Sequence, residues 1–553
     1  MCVKLKIKMI SYYMSVFILS VSLLVSGCSL LNGNGHDTYS VSQEKLQQID
    51  TLELFDADYP EAEKKSGEEK DEKKPAEFQL SLEECRALTL ENNLDLKAQL
   101  INPAIETERV NEQEARFEAL FTIDAVYSNT ERVPASFWDL VLGTKRETVN
   151  IESGVKVPLR SGGTVNFNLT DNKEETNAPP IYVKNNPTYS SDLSFSISQP
   201  LLRNAGKRAA TYYIQVYEYN RQIVSARTKQ TATNIIAMAD QAYWNLYAAR
   251  RLLDVRRQEY NLAKDLLAET ELLVEVGSRA EIDTIRAQAG VASRLERIID
   301  AENTVRNMER NFKLMLNKPG LGIIMDTSLI PTTSPDPVHY EFDIEKMVTK
   351  AIDNRMDMLD MELRLAMDDS AIEYNRNQLH PVLNFYYAYN ISGIGGSRND
   401  SYDMLFDNEY AGHMVNLYAS VPLGNKAAKS GLNKAVLTRT KQLSSIENKK
   451  AMIKKEVLKG IDQVEASWQS ILARRETTLH MEKQYKAEKR QYELGMVTAT
   501  DVLEAQKDLA DAQRMEVYAL AQYQIDLIDL AYSTGTLLGA ARVELETMVP
   551  EKR

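Results

Sequence analysis

Residues 207–276 form a run of 70 positions without one glycine or proline. Helices tend to stop at those two residues, so the run is free to form one helix, and at 1.5 Å rise per residue that helix would be about 105 Å long. No compact domain holds such a rod. The usual allowance of about 100 to 200 residues per domain would divide these 553 residues into several globules, and the run argues against that division. Three more runs follow: residues 278–318 with Gly290 as sole breaker, 432–494 with Gly460 alone, and 496–534 with none. The order is long, short, long, short, with one glycine at each internal junction, Gly277 and then Gly495. A glycine in the left-handed region lets a helix turn back on itself, so each pair reads as a helical hairpin. Leu262, Leu266, Leu267 and Leu273 in one rod, and Val502, Leu503, Leu509, Val517, Leu520, Ile525 and Leu527 in another, keep the spacing of coiled-coil seams. A coiled-coil filament would account for the rods alone.

It does not account for what precedes each long rod. In residues 192–200, Leu193, Phe195 and Ile197 alternate with Ser194, Ser196 and Ser198; in 415–421, Val415, Leu417, Ala419 and Val421 alternate with Asn416, Tyr418 and Ser420. Similar alternation runs through 121–127, 165–170 and Phe385, Tyr387, Tyr389 and Ile391. Period two marks strands with one apolar and one polar face. Strands of about 9–11 such residues cross an outer membrane in a β-barrel. A soluble β-sandwich fits the strands taken alone; beside the rods and the N-terminal segment, a barrel fits better.

That N-terminal segment reads as an address. Lys4, Lys6 and Lys8 precede an apolar run of 13 residues at 14–26, too short to span a bilayer as a helix but suited to a signal-peptide core. The run ends in Val25-Ser26-Gly27-Cys28, which resembles the bacterial lipobox. That resemblance implies cleavage before Cys28 and acylation of it, and Ser29 implies sorting to the outer membrane. Removing residues 1–27 takes away three lysines and no acid, which moves the net charge from −13 to −16. A mixed-charge stretch at 61–74 with few apolar residues reads as a disordered tether. The acidic excess argues against a nucleic-acid partner.

The body is duplicated. Residues 82–96 match 344–358 in pattern, Gln199-Pro200-Leu201 matches Val421-Pro422-Leu423, and Gly277 with Asp283 matches Gly495 with Asp501. Repetition of this regularity marks a structural duplication. The resulting division is a signal peptide at 1–27, a lipid-anchored tether at 28–78, repeats at 79–330 and 331–540, and a tail at 541–553.

Helix, strands, Pro-Leu turn, long helix, glycine turn and short helix, in that order and twice over, resemble the TolC family of outer-membrane efflux proteins. The most specific pieces are residues 199–206, with Pro200 at the strand-to-helix turn that Pro422 repeats, and residues 492–506. The resemblance implies a mixed α/β membrane protein: a homotrimer whose protomers each give four strands to a 12-stranded outer-membrane β-barrel, continued by a long periplasmic α-helical coiled-coil barrel. It also implies a periplasmic adaptor docking near Gly277 and Gly495, and an inner-membrane RND or ABC transporter as the energy source. By the same resemblance, Asp501 and Glu504 match an acidic ring at the periplasmic aperture, and Tyr492 and Asp283 match a pair that links the hairpins. Three residues apart, Asp501 and Glu504 share a helix face; from spacing alone, they fit equally an acidic helix N-terminus. Val497 stands where a basic residue can latch the closed state, so that latch is expected to be missing. The first repeat has about 40 residues more than the second between helix and Pro-Leu turn, and a hairpin near 154–168 within them is expected to lie outside the membrane rather than to add strands.

No reaction chemistry is expected. His36, His339, His380, His413 and His480 keep no metal-ligand spacing, and neither a GxSxG elbow nor a phosphate-binding GxxxxGK[ST] loop is present. Gly393-Ile394-Gly395-Gly396 opens no helix in its pattern and reads as an extracellular barrel loop. The expectation is a passive export channel, without cofactor or metal, in contact with outer-membrane lipid. The alternative is a structural coiled-coil envelope lipoprotein that does not conduct.

Overall fold

The structure, a computed structural model, describes residues 76–541. The signal peptide, Cys28 and nearly all of the tether and tail lie outside the described residues. The chain runs β1 (Ala76–Leu80), α1 (Leu82–Asn92), α2 (Leu94–Glu114), β2 (Leu120–Glu131), β3 (Lys145–Pro158), β4 (Thr164–Thr176), β5 (Thr188–Pro200), α3 (Tyr212–Glu275) and α4 (Glu281–Leu316). It continues through β6 (Thr327–Pro331), α5 (Ile344–Asn354), α6 (Met356–Gln378), β7 (Val382–Gly395), α7 (Arg398–Phe406), β8 (Ala411–Ser420), α8 (Lys426–Glu493) and α9 (Ala499–Ser533). At 64 and 68 residues, α3 and α8 are about 96 and 102 Å long.

The duplication is visible element by element. Helix α1 is started by Ser81, whose hydroxyl accepts from the Glu84 N–H, and α5 by Asp343, whose carboxylate accepts from the Lys346 N–H. Each short helix is broken from the next at one extended residue, Asn93 or Arg355. The four long helices pack as two hairpins, α3 with α4 and α8 with α9, and α9 also packs on α3.

The main core forms where helices meet in more than one layer. Leu80, Cys85, Ile236, Tyr243, Leu246, Phe312 and Leu329 bury together where α1, α3 and α4 meet a two-stranded parallel sheet of β1 and β6. Ala232, Ala239, Ala248 and Ala249 are buried along α3; side chains this small let helices approach closely. The Tyr243 hydroxyl donates to the Leu80 carbonyl at 3.1 Å and accepts from the Thr333 N–H at 2.9 Å, so the small sheet is tied to the rod. Because β1 begins at Ala76, the last residues assigned to the tether, 76–78, are strand instead. Helix α8 begins at Lys426, six residues before the run that starts at 432, and holds Gly431 within it. A Cβ at Gly431 would stand 2.9 Å from the Asn375 side-chain oxygen, which gives that glycine a packing reason.

The second sheet is all antiparallel in the order β2-β3-β4-β5-β7-β8. Among the described residues this sheet has six strands where four per protomer are expected, and the hairpin near 154–168, expected outside the membrane, is part of the sheet. Its strands are β3 and β4, joined by a turn at 159–163 and inserted between β2 and β5. The physical reason is the register. Phe121 stands opposite Val155, Val155 opposite Phe167, Phe167 opposite Phe195, Phe195 opposite Tyr389 and Tyr389 opposite His413, one row across all six strands. The adjacent row is Thr122, Gly154, Asn168, Ser194, Asn390 and Gly412, small or polar throughout. A one-residue slip would put apolar side chains on the wrong face, so the inserted hairpin shares the two-faced pattern of its neighbours. Phe167 and Phe195 pack with ring centroids 4.9 Å apart. Helix α7 lies against the end of β5 and β7, where the Ser191 and Ser401 hydroxyls meet at 2.7 Å. Gly393 and Gly395, expected in a loop, close β7 instead, since a Cβ at Gly393 would fall 2.0 Å from the Ser401 carbonyl oxygen.

Candidate functional site

The two hairpin tips bring most of the sequence-derived site residues together. Each long helix ends in the same arrangement. The Gly277 N–H donates to the Val274 carbonyl at 2.9 Å and the Ser278 N–H to Leu273 at 2.8 Å; the Gly495 N–H donates to Tyr492 at 2.9 Å and the Met496 N–H to Gln491 at 2.9 Å. These are the paired bonds of a Schellman C-cap. Gly277 and Gly495 hold φ of +74° and +79°, where a Cβ strains the backbone. Nothing lies within 4 Å of a Cβ at either site, so backbone conformation and not crowding selects glycine.

The restart after each turn differs. In the second hairpin Thr498 caps α9, and Asp501 completes a capping box: its Oδ2 accepts from the Thr498 hydroxyl and N–H, both at 2.7 Å. Hydrogen bonding first from the Thr498 side chain and then from its backbone holds the Asp501 carboxyl below its ordinary range. In the first hairpin Ala280 cannot cap, and Asp283, buried, pairs instead with Arg286 at 3.3 Å. Asp501 and Glu504 are both exposed, one helical turn apart.

Tyr492 is fully buried and does join the hairpins, though not through Asp283. Its hydroxyl meets Thr270 Oγ1 of α3 at 2.8 Å. Thr270 already donates to the Leu266 carbonyl at 2.6 Å, so Tyr492 is the donor to Thr270. Arg279, from the first turn, lies 4.4 Å above the Tyr492 ring and donates to the Tyr492 carbonyl at 2.8 Å. A stacked guanidinium of this kind contributes about 0.5–2 kcal/mol. Val497 packs with Tyr492, Leu266, Leu273 and Val502. The pairing of Tyr492 with Asp283 is thus replaced by Tyr492 with Thr270 and Arg279. Arg279 was missed in the sequence because it stands in the turn of the other hairpin, outside the helical periodicity.

Above the tips, α4 and α9 close on each other at Gly290, where a Cβ would lie 3.0 Å from the Leu503 methyls. Arg294 donates to the Leu503 carbonyl at 2.8 Å, and Glu259, buried, gathers Arg256, Arg294 and Arg297 within 3.4 Å. Burial, partly offset by Glu259, lowers the Arg294 pKa. At the other end of the rods, Pro200 closes β5 and is followed by the 201–206 turn into α3. Pro422 lies in the link between β8 and α8. Among the described residues no group of His, Cys, Asp and Glu is arranged to hold a metal, and no helix is long and apolar enough to cross a membrane.

Residues 347–536 match the model of the outer membrane efflux protein family. Solved structures share the fold at low identity. CusC, a transmembrane channel, aligns at 13% identity and a TM-score of 0.61, covering 82% of this chain and 92% of its own. The outer membrane channel MtrE of Neisseria gonorrhoeae aligns at 15% and 0.58, covering 82% and 89%; CmeC of Campylobacter jejuni aligns at 14% and 0.58, covering 82% and 86%. No curated protein matches the chain in sequence. The second repeat thus matches the outer membrane efflux protein family, and the chain shares its fold with these outer-membrane channels over most of both chains.

Proposed function

We propose that the protein is a passive outer-membrane export channel that works as a homotrimer, anchored by acylated Cys28 and receiving cargo from a periplasmic adaptor and an inner-membrane RND or ABC pump. The observation that carries this reading is the six-stranded sheet. Its edges, β2 and β8, have no partner strand among the described residues, and one face is apolar. An open sheet in lipid leaves a row of backbone groups unsatisfied at several kcal/mol each, so closure on neighbouring copies is required. The strand count is even, so β2 and β8 run in opposite directions and β8 of one copy can pair antiparallel with β2 of the next.

The tips serve as gate and dock. Leu272, Val276, Leu494 and Met496 are exposed beside the two glycine turns, an apolar surface suited to an adaptor. Asp501 and Glu504, in three copies, form the acidic ring; Asp501 caps its helix and still keeps an ionised carboxylate there. Tyr492, Thr270 and Arg279 hold the two hairpins of one chain together in the closed state. The spacer alternative gives no role to a sheet with an apolar face.

A cation-block experiment tests the ring. Divalent cations added on the periplasmic side should block wild-type current and block Asp501→Asn with Glu504→Gln much less. Equal block in both would reject the ring.

A further inference from the structure

We propose that the membrane barrel has eighteen strands, six from each of three copies, and that its lumen admits hydrophilic solutes of macromolecular width. The inference rests on the channel reading above and goes beyond it in assigning a size and polarity to the cargo path.

The inserted hairpin belongs to the membrane wall. On the face that carries Phe195, β3 presents Val155 and β4 presents Phe167 and Leu169, in register with the other strands. Its turn is wedged at the junction of sheet and rods: Ser161 Oγ donates to Gln199 Oε1 at 2.7 Å, the Gly206 N–H donates to the Ser161 carbonyl at 3.0 Å, and Arg160 reaches Glu114 at 3.7 Å. A Cβ at Gly162 would stand 2.4 Å from the Asn204 carbonyl oxygen, so the turn sits tightly on the start of the rods.

Width argues the same way. Helices α2, α3, α6 and α8 pack side by side in that order and meet β2, β5, β7 and β8 in the same order. Four helices spaced 8–10 Å apart occupy about 32–40 Å of circumference. Four strands at the usual spacing and tilt occupy only about 23–28 Å, whereas six occupy about 34–42 Å. The hairpin therefore matches the sheet to the rods beneath it.

Eighteen strands close at a backbone diameter of about 36 Å, against about 24 Å for twelve. Side chains reaching about 5 Å inward leave free widths of about 26 and 14 Å. The inward face of β4 and β5 carries Asn166, Asn168, Asn172, Ser194, Ser196 and Ser198, amides and hydroxyls that suit a hydrated polar solute. Helix α7 packs on the apolar face, where the Ser191 and Ser401 hydroxyls meet.

Polymer exclusion in planar bilayers, with polyethylene glycol added from the barrel side only, reads this width. With the full-length protein, polymer of about 20 Å hydrated diameter should enter and lower the conductance, as an eighteen-stranded lumen allows. Deleting residues 132–176 removes two strands per copy and leaves β2 antiparallel to β5 with Phe121 and Phe195 on one face; that variant should exclude the same polymer. A conducting wild type that excludes it overturns the proposal, and this arm decides even if the deletion fails to assemble. Absence of any conductance would instead count against the channel reading itself.

Discussion

The Tyr492 hydroxyl and Thr270 Oγ1 lie 2.8 Å apart, both buried, and join the end of one long helix to the flank of the other. With Arg279 over the same ring, this contact ties the two hairpins where a pore would narrow. Tyr492→Phe removes one buried hydrogen bond, worth about 0.5–1.5 kcal/mol; Arg279→Ala removes a hydrogen bond and a cation–π contact, about 1–3 kcal/mol together. Single-channel recording should show open probability rising in both variants, and more in Arg279→Ala. No change in either would mean the contact is not part of the gate.

Gly277→Ala and Gly495→Ala should each cost about 1–2 kcal/mol, because a side chain in the left-handed region is strained. Asparagine, which visits that region more readily, should cost less at the same positions. Thermal unfolding of the four variants checks the order, and equal losses for alanine and asparagine would point to packing instead.

Arg86 binds Asp240 through two nitrogens at 2.7–3.1 Å, with Asp240 fully buried. Burial raises the Asp240 pKa, and Arg86 opposes that rise only in part. Arg86→Met should destabilise by about 3–5 kcal/mol by stranding a buried carboxylate. Adding Asp240→Asn should recover much of the loss, and a double variant no better than the single would contradict this.

Asp357 carries the clearest pH signal. Burial pushes its carboxyl up, but hydrogen bonds and charge from Arg355 and Lys449 prevail and hold it at about 2, against 3.8 ordinarily. Its folded pKa is depressed, so its contribution is complete above the unfolded value and is lost as pH falls from about 4 through about 2. Acid unfolding of wild type should steepen across that window relative to Asp357→Asn. Parallel curves would remove Asp357 from the account.

Burial first, and the nearby Asp240 charge second, push the Cys85 thiol up to about 12. It should resist maleimide at pH 8 in the folded protein and react on unfolding. If the segment before Cys28 is removed and Cys28 is acylated, the unfolded mature protein titrates as one thiol; a count of two would refute acylation.

Much of this architecture is written in the chain. Long helices follow from runs with few or no breakers, and their turns fall at Gly277 and Gly495, where the backbone turns left-handed at a residue without a side chain. Strands β5 and β8 show in the alternation at Leu193–Ile197 and Val415–Ala419, since one face meets apolar surroundings. Strands β1 and β6 were invisible: five residues each, parallel and far apart in sequence, they have no period to detect. The place of the 145–176 hairpin was equally hidden, because alternation says a strand has two faces and not which strand it joins. The partner of Tyr492 within the chain is hidden for a similar reason, as Asp283 turns aside to Arg286 and Thr270 lies in mid-helix with no signal of its own.

The most direct test of the central claim is planar-bilayer recording of the purified full-length protein alongside Arg279→Ala. Discrete conductance steps, larger or more often open in the variant, are expected of a gated trimeric channel. No conductance from either protein, at a concentration where both are folded and trimeric, would contradict it.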